Sequence, residues 1–157
     1  MKKPDNIIQL QTEHYNNYGN LFDLDHPHAS LWFEQIKARN RIRFLYVENG
    51  DCLAQVDIVK DYGERNIGDE TDYTIPGRRV YLSRLFVQAD KRRQGIGSIM
   101  VNYICETARK WGYSEISLGV NIDNTAARSL YEKNGFNTVI YCGEDEHGKY
   151  EKLLKYL

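Results

Sequence analysis

The chain has 157 residues, 41% of them hydrophobic and 27% charged, with a formal net charge of −1. This length holds one domain (1–157) with a real apolar core and excludes two ordinary ones. The composition excludes a disordered chain, and the charge balance argues against a nucleic-acid partner, which calls for a basic excess.

In chain order, residues 6–11 (NIIQLQ) read as a short strand and 14–20 as a helical segment weakened by Gly19. Residues 27–39 place Leu31, Phe33 and Ile36 in a helix-like pattern. Residues 41–49 alternate Ile42, Phe44 and Tyr46 against Arg41, Arg43 and Leu45, the period of a strand. Asn49 followed by Gly50 is a two-residue hairpin signal, which makes 52–60 the partner strand. Asp57 on that partner reads as a solvent-facing residue. Residues 61–78 form a long loop, a length that often accompanies function in compact domains. Residues 79–87 are a strand. Ile96, Ile99, Met100, Tyr103, Ile104, Thr107, Ala108 and Trp111 then keep the spacing of one buried helical face, with Gly112 suited to the C-terminal cap. Residues 115–120 form a strand. Asp123 or Asn124 caps another helix that stops at Gly135, with its core stripe expected at Ala126 and Leu130, and Ala127 at its edge. Residues 136–142 are a strand, 144–148 a turn, and 149–157 a final antiparallel strand. The order is mixed α/β.

Three cysteines, Cys52, Cys105 and Cys142, lie far apart and none sits in a CxxC pair. They point to reduced thiols and a cytoplasmic protein rather than a disulfide framework or zinc knuckle. The N-terminus lacks the apolar stretch of a signal peptide, and no run approaches the roughly 18 apolar residues of a span, so no membrane partner is expected. The four histidines make no metal site; His26 and His28 merely flank Pro27.

Residues 88–100, QADKRRQGIGSIM, join the strand at 79–87 to the clearest helix. A helix N-terminus leaves its first N–H groups unpaired and carries partial positive charge. Glycine lets a ligand approach that backbone closely. Gly95 and Gly97 after Lys91, Arg92 and Arg93 therefore make a phosphate cradle in physical terms, or else a tight turn beside a solvated charged face. A Walker A loop fails, because Ser98 and Ile99 stand where Lys and Ser or Thr are needed. A dinucleotide fingerprint is weakened by Met100 at the third glycine position and by the polar stretch after the strand.

In NTAARSLYEKNGF (124–136), Asn124, Ala127 and Tyr131 share one helical stripe. Taken with the glycine junction, this segment resembles the GNAT superfamily of acyl-CoA-dependent N-acyltransferases. Leu85, Phe86 and Val87 match that family's L-x-V strand ending. The run from Arg92 to Gly97 matches its R/Q-x-x-G-x-G/A, and Asn124, Ala127, Leu130, Tyr131, Gly135 and Phe136 match its later motif. The resemblance implies a mostly antiparallel mixed sheet of about six to seven strands flanked by about four helices. It implies acetyl-CoA as co-substrate. The backbone from Gln94 to Ser98, through Gly95, Ile96 and Gly97, with Arg92 and Arg93 nearby, would hold the CoA pyrophosphate. Leu85 and Val87 would pair with the pantetheine arm, flanking Phe86. Asn124 and Ala127 would lie along the cofactor. The Leu85 N–H would face the thioester oxygen, and Tyr131 would reach the sulfur as general acid. No cysteine falls in either motif, which agrees with direct attack by the amine in a ternary complex.

The strand at 79–87 carries no acid, where many relatives have a base. Asp57, Tyr81 or a water chain remain as candidates. Arg84 either binds a substrate carboxylate or pairs with a nearby acid. Asp69, Glu70 and Asp72 either attract a cationic amine or are simply solvated. The acceptor is a small-molecule or peptide amine, shaped by the segment 26–32, and a homodimer is compatible with the fold. The competing reading is a non-catalytic acyl-CoA-binding or sensing domain, against which Tyr131 speaks.

Overall fold

The structure is a computed structural model, and it describes residues 4–18, 21–22, 25–63 and 69–157. Seven strands form one sheet: β1 (Ile7–Gln9), β2 (Arg41–Glu48), β3 (Asp51–Val59), β4 (Arg79–Val87), β5 (Glu115–Asn121), β6 (Thr138–Asp145) and β7 (Gly148–Tyr156). Their order is β1-β2-β3-β4-β5-β7-β6. Every neighbouring pair is antiparallel except β4 and β5, which run parallel. Among the described residues three α-helices accompany the sheet: α1 (Ala29–Lys37), α2 (Ile96–Lys110) and α3 (Thr125–Lys133). The helical segment expected at 14–20 is instead a 3-10 helix at Thr12–Asn17, so three α-helices stand where about four were expected. Gly19 and Asn20 lie outside the described residues.

The parallel pair needs a crossover, and α2 supplies it. Met100, Val101, Ile104 and Ala108 of α2 are fully buried against Val56, Ile58 and Val80 of the sheet. Each of the Met, Val and Ile side chains contributes roughly 1.5–3 kcal/mol through apolar burial, and the Ala108 methyl less. The buried face extends further round toward Val101 and Cys105 than the spacing alone suggested, and Trp111 lies outside it, 40% exposed with the Lys60 ammonium 5.2 Å from its ring. On the other sheet face, Leu45 and Cys52 pack with Leu10 and Leu21. Sandwiched between these layers, β2 and β3 are buried on both faces.

That double burial overturns the expectation for Asp57. It is fully buried, and its carboxylate accepts hydrogen bonds from Arg43 Nε at 2.7 Å, Arg43 Nη2 at 2.8 Å and Arg41 Nη1 at 2.6 Å. Three charged groups tolerate this depth because each is paired and hydrogen-bonded.

Candidate active site

β4 and β5 are paired only from Arg79 to Tyr81 against Glu115 to Ser117. β4 continues to Val87 and β5 to Asn121, where β5 is occupied by β7 on its other side. The two strands therefore part beyond Tyr81 and leave a backbone edge on β4. Gln88 N–H donates to Leu53 O at 2.9 Å, and Phe86 lies opposite Gln55. Backbone groups alternate along an antiparallel ladder, so Phe86 and Gln88 turn theirs toward β3 and Val87 turns its own away.

A β-bulge interrupts this ladder between Gln55 and Asp57, and Arg84 on β4 adopts a left-handed conformation there, φ 54°. The Arg84 carbonyl accepts from Gln55 Nε2 at 3.2 Å. The C=O and N–H of a trans peptide point in opposite directions, so the Leu85 N–H of the same peptide points away from Gln55. Bulges beside functional sites commonly re-aim groups in this way.

The glycine junction lies at the end of this edge. Gly95 caps α2 at φ 83°, a conformation that costs other residues, and no side chain caps the helix there. The first intrahelical bond runs from Ile99 N–H to Gly95 O, which leaves the N–H groups of Ile96, Gly97 and Ser98 as the helix's unpaired donors. Arg92, Arg93 and Gln94 are exposed around them, and Arg92 Nε donates to Val87 O at 3.1 Å, tying the loop to the strand end. Gly97 serves a different end from Gly95. A Cβ built on it would lie 3.2 Å from Leu130 Cδ2, so it permits close packing of α2 on α3.

This packing joins the two motifs. Asn134 Nδ2 donates to Ser98 Oγ at 3.3 Å across the same contact. On α3, Asn124 Oδ1 accepts from Ala127 N–H at 3.2 Å and so caps the helix. Ala127 packs against the core, and Tyr131 is buried with its ring edge-on to Phe136 at 6.0 Å. Ala126 is exposed and Leu130 half-buried, so the inward face of α3 is the stripe that carries Tyr131, not the one expected at Ala126 and Leu130. Burial, and secondarily the neighbouring Tyr81, push the Tyr131 phenol well above its ordinary pKa.

Tyr81 lies where β4 and β5 part, stacked on Tyr73 at 4.3 Å, and Tyr62 packs edge-on to both at 5.1 and 4.9 Å. Tyr73 belongs to the long loop, which several bonds hold down. Ser117 Oγ donates to Tyr73 O at 2.6 Å, Lys152 Nζ to Thr71 O at 2.9 Å, and Arg79 Nη1 to Asp72 O at 2.6 Å. Of the loop acids, Asp69 faces Thr71, Glu70 is bound to Arg78, and Asp72 is buried rather than solvated. Asp69 and Glu70 are held below the usual carboxylate range by those hydrogen bonds. Tyr73 carries this side of the site and was not singled out from the sequence, because no spacing signal connects it to β4, whereas Trp32 falls in the segment 26–32 expected to shape the acceptor side. Among the described residues no group of His, Cys, Asp and Glu is placed to hold a metal ion, and no helix is long and apolar enough to cross a membrane.

A mixed sheet with a parting parallel pair, a helix N-terminus at its mouth and a second helix closing on it defines the architectural class to which the two motifs pointed. Residues 6–136 match the model of the acetyltransferase (GNAT) family, and the chain belongs to that family. It is 38% identical over 125 residues to human N-acetyltransferase 8, an alignment covering 68% of this chain and 53% of that protein, so the chain spans about half of that relative's length. Its fold is similar to that of an IAA acetyltransferase from Bacillus cereus (TM-score 0.72, 15% identity, 96% of this chain and 98% of that one). It is also similar to a GNAT family acetyltransferase from Elizabethkingia anophelis with acetyl-CoA bound (TM-score 0.68, 15% identity, 98% and 99%).

Proposed function

We propose that the chain is one N-acetyltransferase domain that moves an acetyl group from acetyl-CoA to a primary amine. The observation that carries this reading is the open β4 edge, leading from Leu85 and Val87 to the unpaired N–H groups at the start of α2, with Tyr131 beside it. An extended pantetheine would add to that edge as a strand does. The pyrophosphate would meet the N–H groups of Ile96, Gly97 and Ser98, with Arg92 and Arg93 adding attraction. Acetyl-CoA in the Elizabethkingia structure and the acetyltransferase relatives support the same reading.

In this mechanism the acceptor ammonium first loses a proton to a base or to solvent. Its nitrogen lone pair then forms the C–N bond at the thioester carbon, and charge grows on the oxygen. The Leu85 N–H stabilises that charge. The C–S bond breaks with its electron pair on sulfur, and the proton still on nitrogen ends on the thiol. Tyr131 serves as general acid: its phenol, protonated at neutral pH, hydrogen-bonds the departing sulfur and relays to it the proton given up by nitrogen. Asp57 is committed to Arg41 and Arg43 and is withdrawn as a base, which leaves Tyr81 or water. Most of the acceleration comes from holding two substrates together.

The test is an acetyl-CoA titration by calorimetry on wild type and Gly95→Ala, followed by thiol release with an amine panel. A Cβ at Gly95 meets open space but a strained φ, so it reshapes the cradle without a clash. Binding weakened in the variant, with amine-dependent thiol release by wild type, is the expected result. Tight binding without release by any amine would favour an acyl-CoA sensor, and no binding by folded wild type would sink the proposal.

A further inference from the structure

A cavity of about 530 Å³ opens where the ends of β1, α1 and β3 meet the start of β2. Four cations, Lys37, Arg39, Arg41 and Lys60, line it with one carboxylate, Glu13, and Trp111 forms an aromatic wall. Trp111 follows α2, whose 15 residues set it about 22 Å from the N–H groups of the cradle. The cavity is therefore separate from the phosphate site at the other end of that helix. Its rim is tied together at Asn40. The Asn40 carbonyl accepts from Lys60 N–H at 2.8 Å, and its Nδ2 donates to Asp61 O at 2.8 Å, which brings Arg39 and Lys60 to one rim. Arg39 is left-handed, φ 61°, just past the end of α1, a position that favours glycine. A long cation stands there instead.

The charges here are unequally used. Arg41 is committed to Asp57 and Gln35. Lys37 reaches the exposed Glu34 at 3.8 Å, a loose surface pair worth little in water. Among the described residues no carboxylate pairs with Arg39 or Lys60; the Lys60 ammonium lies 5.2 Å from the Trp111 ring. Cations gathered around a cleft focus a positive potential into it and repel one another until an anion enters. Arg39 supplies a planar fork that fits a phosphate through two hydrogen bonds, and the lysines add point charge. The indole, 40% exposed, offers a flat apolar surface beside them. A cavity of this volume suits a small ligand. We propose that it binds a small molecule that carries a phosphate monoester and a planar ring. The phosphate sits on Arg39 and Lys60, with Lys37 adding attraction, and the ring lies against Trp111. This site stands whether or not the chain transfers acetyl groups.

The experiment titrates AMP, adenosine and inorganic phosphate by calorimetry, at constant ionic strength, into wild type, Arg39→Gly and Lys60→Gln. CoA is held in excess throughout, so that the cradle is not the site measured. Glycine suits the left-handed backbone at position 39, and urea unfolding without ligand checks that both variants fold. Wild type is expected to bind AMP at least about 10-fold tighter than adenosine or phosphate, and each variant to lose about 10- to 100-fold of that affinity. AMP should also raise the urea midpoint of wild type and leave those of the variants in place. AMP that binds no tighter than adenosine removes the phosphate from the recognition, and AMP that binds no tighter than inorganic phosphate removes the ring. Either result overturns the inference, as does no binding of AMP. AMP affinity unchanged in both folded variants places the ligand elsewhere and overturns it too.

Discussion

The hydroxyl of Tyr73 occupies the space in which a side chain on Gly119 would begin: a Cβ built on Gly119 would lie 2.3 Å from that oxygen. Gly119 is on β5 just past the point where it leaves β4, so this contact seats the long loop on the parted strands. Gly119→Ala must expel the phenol and loosen its stack on Tyr81. We expect kcat/KM for the amine to fall by about 10- to 100-fold, with acetyl-CoA affinity retained by calorimetry. Unchanged amine kinetics would show that the loop does not shape the acceptor side.

Tyr131→Phe keeps the ring that packs on Phe136 and removes only the hydroxyl. Steady-state kinetics should show kcat lowered by about 100-fold with little change in KM for acetyl-CoA. A full-rate Phe variant would exclude the phenol from the chemistry.

Asp57→Asn removes a carboxylate charge that pairs with both Arg41 and Arg43, two guanidinium groups at 4% exposure or less. Breaking a buried network by deleting one partner costs about 3–5 kcal/mol. Urea unfolding should show that loss as a lower midpoint at an unchanged slope. A neutral substitution would mean that water reaches the cluster.

Stability should decline above pH 9. Burial pushes the Cys52 thiol up to about 12 from an ordinary 9.0, and a backbone hydrogen bond with Ala54 offsets only part of that. Between those values the unfolded chain has released the proton and the native chain still holds it. Stability is therefore whole below pH 9 and falls by up to about 1.4 kcal/mol per pH unit above it. The raised Tyr131 adds a loss of the same sign above its unfolded value. Cys52→Ala should flatten the slope in unfolding curves collected from pH 8 to 11. An identical slope in that variant would assign the alkaline loss elsewhere.

Thiol labelling offers a separate check. Cys52 and Cys105 are buried with raised pKa values, whereas Cys142 is exposed on the edge strand β6. Thiolate is the reactive form, so native protein at neutral pH should take up one equivalent of alkylating agent, at Cys142, and three after denaturation.

Local signals placed much of the molecule. Helical spacing located α2, the asparagine before a small-residue run capped α3 at Asn124, and Asn49 with Gly50 turned the first hairpin, because these devices act within a few residues. The Arg43 to Asp57 pairing escaped them. The hairpin begins with Glu48 opposite Asp51, a register that would set Arg43 across from Val56. A bulge between Tyr46 and Val47 shifts it by one and brings Asp57 opposite instead. Likewise no short-range pattern states that Tyr131, rather than Ala126, turns inward, since that depends on where α2 packs.

The amino-acid sequence by itself determined the order of the strands and of α1, α2 and α3, the glycine at the start of α2, and the two motifs of the acetyltransferase family. These follow from backbone freedom, capping and periodicity, which neighbours along the chain decide. Only the tertiary structure decided that β4 and β5 part beyond Tyr81, that Gly97 and Leu130 join the motifs into one site, and that Trp32 and Phe86 enclose Arg84. Each of those is a contact between segments far apart in the chain, set by register, bulge and packing rather than by any residue's own preference.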